Sequence, residues 1–310
     1  MNTPMVVFDN VSRFYGEVMG VNRVSLRIPP GITSLVGPNG SGKTTLMNLA
    51  AGLIFPDRGT ISVRGLSPRD PEKLMRVLGY ATQFDAAPRG LTGFDFVLGG
   101  LLLYGHARAE AERRAHRAIE RVSLSDAAGR KIAAYSKGMR QRIRLAQAMA
   151  HDPEVLILDE PLNGLDPLVR AETIALFREW ATAGKHVILS SHVLNEVDLI
   201  SDQVILISNG MILAEGEIRN VREEMHEHPT QYLVRTPQPA RLAGLLFGLE
   251  FVTEVRLIED GGGLLVLTRS REELTAALGR LALNECEIES ILPADESVDS
   301  LYTYLIGGRS

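Results

Sequence analysis

Gly37-Pro38-Asn39-Gly40-Ser41-Gly42-Lys43-Thr44-Thr45 lies between a short apolar run, Ile32 to Val36, and a helix-like segment, Leu46 to Leu53. Strand, glycine loop and helix in that order read as a phosphate cradle. Gly37, Gly40 and Gly42 let the backbone turn tightly enough for successive N–H groups to face phosphate oxygens. The helix that follows aims the positive end of its dipole at the same place. Lys43 is predicted to reach the β- and γ-phosphates, and the Thr44 hydroxyl to hold a Mg²⁺ ion. An ordinary strand-to-helix turn is the plain alternative, but it does not require the loop and both flanks to match together.

Upstream, Val6 and Phe8 alternate with polar residues, as do Val24, Leu26 and Ile28, which predicts two half-buried strands. Between them Phe14 and Tyr15 precede a turn at Gly16. Beside a nucleotide site, Tyr15 is the better candidate for a flat surface on which an adenine ring stacks. Downstream, Pro56-Asp57-Arg58-Gly59 is a turn before a strand at Thr60 to Val63, and Val77 to Ala81 is an apolar run ending near Gln83. From Gly93 to Gln147 the texture becomes helical, rich in Ala, Leu, Arg and Glu. Between Arg108 and Arg144 there are eleven Lys/Arg against four Asp/Glu, a pattern read as a solvated helical surface.

Val155 to Leu158 reads as a buried parallel-type strand ending in Asp159 and Glu160. Asp166-Pro167 starts a helix, an N-cap followed by proline in the first turn, with Ile174, Phe177 and Trp180 on its core face. His186 to Ser190 is a further strand that delivers Ser191 and His192. Asn209-Gly210 between two apolar runs is a two-residue hairpin signal. A charged stretch, 221–230, reads as a linker. From 231 to 310 the predicted order is βαββαβ, the split βαβ pattern of a small ferredoxin-like α+β accessory domain.

Composition sets limits on this picture. The 310 residues suffice for one large core, or one large and one small. Net charge is −5, which argues against nucleic acid as the main partner. Cys286 is the single cysteine, so no internal disulfide forms, and a reducing compartment is expected. Met1 to Asn10 has no signal-peptide pattern, and the apolar stretch Phe94 to Tyr104 is too short to span a bilayer. A soluble protein is expected.

Ligands of mainly parallel sheets bind beyond the carboxyl ends of the strands. Lys43, Thr44, Gln83, Asp159, Glu160 and His192 all fall there. Asp159 is placed to bind Mg²⁺ directly or through water, and the cation relieves the repulsion between two adjacent buried carboxylates. Glu160 is then free to polarise an attacking water. His192 is placed to donate to the γ-phosphate, and Gln83 to act as a Mg²⁺ and water ligand that senses that phosphate. Catalysis of phosphoanhydride hydrolysis is mostly positioning and charge neutralisation, which these groups supply. Ser136, a natural N-cap, and Gly138 in the first turn after it form a second anion site at a helix start. That duplication makes sense if it serves the nucleotide of a neighbouring molecule.

Taken together, these motifs closely resemble the ATP-binding subunit of an ABC transporter, over about Val6 to Gly216. The carriers are Tyr15, the loop 37–45, Gln83, Tyr135 to Met139, Val155 to Glu160, Leu165-Asp166 and His192, in the family's order and spacing. The resemblance implies a P-loop NTPase with an ABC-type β-subdomain and a helical insert at about 93–147, together occupying 1–220. It implies that two cassettes close head to tail over two ATP molecules. Ser136 and Gly138 of each then complete the other's site, and Asp166 lies at the dimer interface. Tyr135, Lys137 and Met139 depart from the usual Leu-Ser-Gly-Gly-Gln, and Asn163-Gly164 stands where Ser-Ala is common. The two phosphate-facing positions of the signature are intact, so activity is expected.

A Tyr-Ser-Lys-Gly-Met signature with a C-terminal βαβ extension is similar to exporter ATPases for drugs, sodium, haem-assembly components and polysaccharides. Those act with a separately encoded membrane permease, whose coupling helix would face Phe84 to Leu98. The implied protein is an ATP- and Mg²⁺-dependent ATPase on the cytoplasmic face of the membrane. It would be a homodimer, or a heterodimer with a related ATPase, when ATP-bound, with no nucleic acid as partner. The alternative is a soluble ABC ATPase acting on ribosomes or DNA; a nucleotide-gated regulatory module is a third option.

Overall fold

The structure, a computed structural model, describes residues 4–83, 88–192, 197, 199–217, 230–258 and 262–293. Of the predicted linker at 221–230, residues 221–229 lie outside the described residues, as does the start of the predicted coupling surface, 84–87; Thr230 is not linker but the first residue of a strand. The chain divides into two compact units, Met1–Glu215 and Gly216–Ser310.

In the first unit, β1 (Val6–Tyr15), β2 (Val18–Ile28) and β4 (Arg58–Val63) form a three-stranded antiparallel sheet in the order β2-β1-β4. A six-stranded sheet contains β3 (Ile32–Val36), β5 (Leu78–Ala81), β6 (Val155–Leu158), β7 (His186–Ser191), β8 (Gln203–Ser208) and β9 (Met211–Glu217), in the order β5-β6-β7-β3-β8-β9. The β5/β6, β6/β7, β7/β3 and β3/β8 pairs are parallel. The β8–β9 turn is Asn209-Gly210, both at positive φ, as the two-residue hairpin requires.

Successive residues of a strand point to opposite faces, and here both faces are covered. Leu156, Leu158, Val187 and Leu189 enter one core with α6 (Pro167–Thr182) and the helical insert. Val155, Ile157 and Ile188 enter the other, with α1 (Lys43–Ala50) and the antiparallel sheet. Burial on both sides explains why these strands read as continuous apolar runs. Phe177 and Trp180 of α6 are in the first core, and Ile174 packs partly buried against it. The insert consists of α3 (Gly93–Leu103), α4 (Arg108–Arg121) and α5 (Lys137–Met149). Much of its positive charge is spent locally: Arg108 pairs with Glu112, and Arg113 and Arg114 with Glu110.

One helix was not anticipated from the sequence. α2 (Pro71–Val77) begins with Asp70 as N-cap and proline in its first turn, the same signal recognised at Asp166-Pro167. Its apolar content, one fully buried Leu74, is too small to show a helical period.

The second unit is a four-stranded antiparallel sheet, β11 (Val252–Leu257), β12 (Gly263–Thr268), β10 (Thr230–Arg235) and β13 (Ser290–Pro293), in that order. With α7 (Pro239–Leu246) and α8 (Arg271–Asn284) the connectivity is βαββαβ, that of the split βαβ pattern. Leu242, Leu246, Leu274 and Leu278 of the helices share one core with Tyr232, Val234, Leu264 and Val266 of the sheet.

His151 ties the insert to the sheet. Its Nε2–H donates to Leu78 O at 3.1 Å, and its ring stacks on Tyr104 with centroids 4.1 Å apart. Burial pushes the ring's pKa down from 6.5 to about 4, against the smaller opposing pull of the Leu78 carbonyl. Between those two values only the unfolded chain binds the proton, so stability is lost as pH falls through that window. His151→Gln, which keeps a donor and removes the titration, is expected to flatten the fall in unfolding free energy between pH 6.5 and 4, by up to ~1.4 kcal/mol per pH unit. Urea titrations at a series of pH values read this directly, and equal slopes for the two proteins would show that the ring titrates normally.

Candidate nucleotide site

The glycine loop connects β3 to α1. Gly40 and Gly42 take φ of +80° and +111°. A Cβ at Gly42 would lie 2.8 Å from Gly20 O and 3.0 Å from Val21 Cγ1, so glycine is needed there for space as well as conformation. α1 starts at Lys43 with Gly42 as its N-cap and no side-chain cap hydrogen bond, which leaves first-turn N–H groups for a ligand. Ser41 Oγ is buried without a hydrogen-bond partner in the same loop. An unsatisfied hydroxyl and uncapped N–H groups around a cradle open only to glycine fit a phosphate chain.

Lys43 is 6% exposed, and its Nζ donates to Gly37 O at 2.5 Å and Pro38 O at 3.0 Å. Burial lowers its pKa, and the negative charges of Glu160 and Asp159 oppose that shift.

Three neighbouring strand ends meet beside the loop. Asp159, 1% exposed, follows β6; its Oδ2 accepts from Thr44 Oγ1 at 2.8 Å and its Oδ1 from Ser190 Oγ at 2.6 Å. Ser190 Oγ also accepts from the Glu160 N–H at 2.7 Å. Glu160 has φ of +52°, which costs a residue other than glycine about 1–2 kcal/mol. The left-handed turn places its carboxylate, itself buried, 2.9 Å from His192 Nδ1. Thr44, Asp159, Ser190, Glu160 and His192 thus form one connected polar chain.

Tyr15, Asn39, Gly40, Ser41, Gly42, Lys43, Thr44, Thr45, Gln83, Asp159 and Glu160 line a single cleft of about 390 Å³. Gly37 and Pro38 contribute through the carbonyls that hold Lys43, and His192 through Glu160. Tyr15 is 45% exposed, with the Arg13 guanidinium 5.3 Å from its ring centroid. Val18, Met19 and Gly20 also line the cleft and were missed from the sequence. Gly20 carried a signal, a glycine inside a strand. A Cβ there would come within 2.8 Å of Tyr15 Cε2 and 3.2 Å of Thr45 Cγ2, so its absence lets Tyr15 lie close to the loop. Ser190 was missed because a serine at the end of an apolar strand has no distinguishing pattern. A larger concavity of about 520 Å³ on the insert, lined by Arg114, Arg117, Arg121 and Asp152, does not include the loop.

Ser136, Gly138 and Asp166 do not line the cleft. Ser136 caps α5, its Oγ accepting from Met139 N–H at 3.2 Å, and Asp166 caps α6, accepting from Val169 N–H at 3.0 Å. A Cβ at Gly138 would lie 3.5 Å from Leu165 Cδ2, so the signature turn and the segment before α6 are in contact. The two departures from the family pattern meet here. Gly164, at φ +76°, has the left-handed backbone that favours glycine, and the Lys137 side chain lies over it, with Cε 2.7 Å from where a Cβ would stand.

Comparison with known proteins agrees with the geometry. A family model described as ABC transporter matches residues 21–163. Over 223 residues the chain is 35% identical to YxlF, an uncharacterized ABC transporter ATP-binding protein of Bacillus subtilis (strain 168), covering 71% of this chain and 73% of that protein. Over 297 residues it is 29% identical to the daunorubicin/doxorubicin resistance ATP-binding protein DrrA of Streptomyces peucetius, covering 95% and 90%. A solved dimeric structure of the ATP-binding cassette MJ0796, in a post-hydrolysis state bound to ADP and Pi, matches with a TM-score of 0.64 at 25% identity, over 69% of this chain and 99% of that one. The chain belongs to the ABC transporter family, as an ATP-binding, ATP-hydrolysing cassette.

Ser190→Ala removes one acceptor and one donor from a buried network, stranding the Glu160 N–H and an Asp159 oxygen. Unfolding free energy is expected to fall by about 1–3 kcal/mol, measured by urea denaturation. A loss within the error of the titration would show that water replaces the hydroxyl.

Proposed function

We propose that this chain is the ATP-hydrolysing subunit of an ABC exporter, working as one half of an ATP-closed dimer on a separately encoded membrane permease. The observation that carries the catalytic part is the polar chain from Thr44 through Asp159, Ser190 and Glu160 to His192. The loop N–H groups and Lys43 hold the phosphates, and Tyr15 offers its face to the base. Thr44 Oγ and Asp159 present hard oxygen donors fit for Mg²⁺, which when bound neutralises charge on the phosphate oxygens. Among the described residues no cluster of three or more His, Cys, Asp or Glu could hold a metal alone, which suits an ion shared with a nucleotide. Glu160 takes a proton from water as the water oxygen attacks the γ-phosphorus and the bond to the β-γ bridging oxygen breaks, releasing ADP and phosphate. His192 fixes the Glu160 carboxylate and faces the γ-phosphate; Gln83 lines the same cleft as the second water and Mg²⁺ ligand.

Ser136 and Gly138 stand outside their own chain's cleft, which supports a role in a second subunit's site, with Asp166 at the interface; a homodimer or a heterodimer with a related cassette satisfies this equally. Among the described residues no helix is long and apolar enough to cross a membrane, which is in keeping with a permease on a separate chain. The resemblance over nearly its whole length to DrrA, a drug-resistance ATP-binding protein, supports export; a place at the cytoplasmic face of the membrane follows from docking on a permease. The C-terminal α+β unit is then an accessory domain.

Glu160→Gln is expected to lower kcat by roughly 10²–10⁴-fold while retaining ATP binding and accumulating an ATP-bound dimer on size exclusion; steady hydrolysis would remove Glu160 as the base. Adding Ser136→Arg to that variant is expected to abolish the ATP-dependent dimer, and an unchanged dimer would show that Ser136 does not act in trans. Copurification from membranes with a polytopic subunit tests the transport assignment, and recovery with ribosomes instead would refute it.

A further inference from the structure

Glu160 is held in its left-handed conformation from both sides of its peptide. Ser190 accepts from its N–H, and on the other side its carbonyl accepts from Gln141 Nε2 at 3.3 Å and from Asn163 N–H at 3.2 Å. Gln141 lies in α5, the helix capped by Ser136. One turn further along the same helix, Arg144 Nη1 donates to Thr82 O at 3.0 Å, the carbonyl of the peptide that leads into Gln83. Arg144 Nη2 also donates to Gln141 Oε1, so the two side chains act as a single bridge. All three partners, Thr82, Gln141 and Arg144, are half-buried, where such bonds are shielded from water.

We propose that Gln141 and Arg144 form a positioning pair for ATP hydrolysis. By gripping the carbonyls of Thr82 and Glu160 they set the backbone, and through it the side chains, of Gln83 and Glu160 against the nucleotide. Neither residue lines the cleft, so the pair acts on the geometry of the attack and not on the affinity for nucleotide. A left-handed glutamate persists only where its surroundings over-determine it, and Gln141, steadied by Arg144, supplies one part of that restraint from outside the sheet, beside Asn163. The inference rests on the catalytic assignment of Glu160 and Gln83 made above. Because α5 is the helix whose N-cap is Ser136, the pair also joins the catalytic strand ends of one site to the helix that serves the other.

The test is steady-state ATPase kinetics of the full chain with Arg144→Met, Gln141→Met and both, alongside nucleotide dissociation constants from a fluorescent ATP analogue and thermal unfolding. Each single variant is expected to lower kcat by roughly 10- to 100-fold, the loss that small misplacement of catalytic groups produces, with nucleotide affinity unchanged. The double variant is expected to be no worse than the poorer single one, because the two act as a unit, and Arg144→Lys should recover part of the rate. Gln141→Met has nearly the same length as the native side chain and serves if Arg144→Met does not fold. Wild-type kcat in the methionine variants, or nucleotide affinity that falls in step with kcat, would overturn the proposal. Glu160→Gln measured in parallel separates the failures. If it abolishes turnover while the methionine variants stay at wild-type rate, the pair alone is refuted and Glu160 remains the base. If it turns over normally, the catalytic assignment falls and the pair has nothing to position.

Discussion

Asp159 accepts hydrogen bonds from Thr44 and from Ser190 while almost wholly buried, and most of the site depends on those two bonds. Thr44 stands in the first turn of the helix after β3, Ser190 near the end of β7, and Asp159 just past β6. The three strands are neighbours in one parallel sheet, with Leu158 beside Leu189 and Val36 beside Ser191. Parallel pairing alone brings the strand ends to a common edge. The carboxylate converts that edge into a fixed arrangement, because a buried anion stripped of its donors would be far more costly than one that keeps them.

The same economy of partners runs outward. Ser190 serves two masters, donating to Asp159 and accepting from Glu160 N–H, and so transmits the position of one carboxylate to the next residue. Glu160 must leave the strand abruptly, and its positive φ turns the side chain toward His192 instead of continuing the alternation of β6. Lys43 sits close enough to feel both carboxylates, which offset the lowering of its pKa by burial. Its ammonium meanwhile rests on two loop carbonyls, which are weaker partners than phosphate oxygens.

The legible part of this architecture was the part written in local pattern. Glycines 40 and 42, the apolar run before Asp159, the Asp166-Pro167 cap and the Asn209-Gly210 turn each encode a backbone conformation within a few residues, and each has the expected place. The βαββαβ order of the second unit was likewise readable, because its strands and helices alternate with clear turns between them. α2 escaped despite its Asp70-Pro71 start, since seven residues with one fully buried side chain carry no period. Ser190, Gln141 and Arg144 escaped for a different reason: a serine in a strand and two polar residues on a helix look the same whether they face water or a distant carbonyl.

By itself, then, the sequence determined the cradle, its lysine and hydroxyl, the carboxylate pair and the alternation of strands and helices, because dihedral preferences and hydrophobic periods act over short separations. Only the tertiary structure decided that Ser190 joins Asp159 to Glu160, that Gln141 and Arg144 donate to the carbonyls of Glu160 and Thr82, and that Gly20 makes room beside Tyr15. Apart from Gly20 and Tyr15, those relations link residues from about 20 to more than 60 positions apart, and contact at such separations is set by how sheets and helices pack, which no local pattern records.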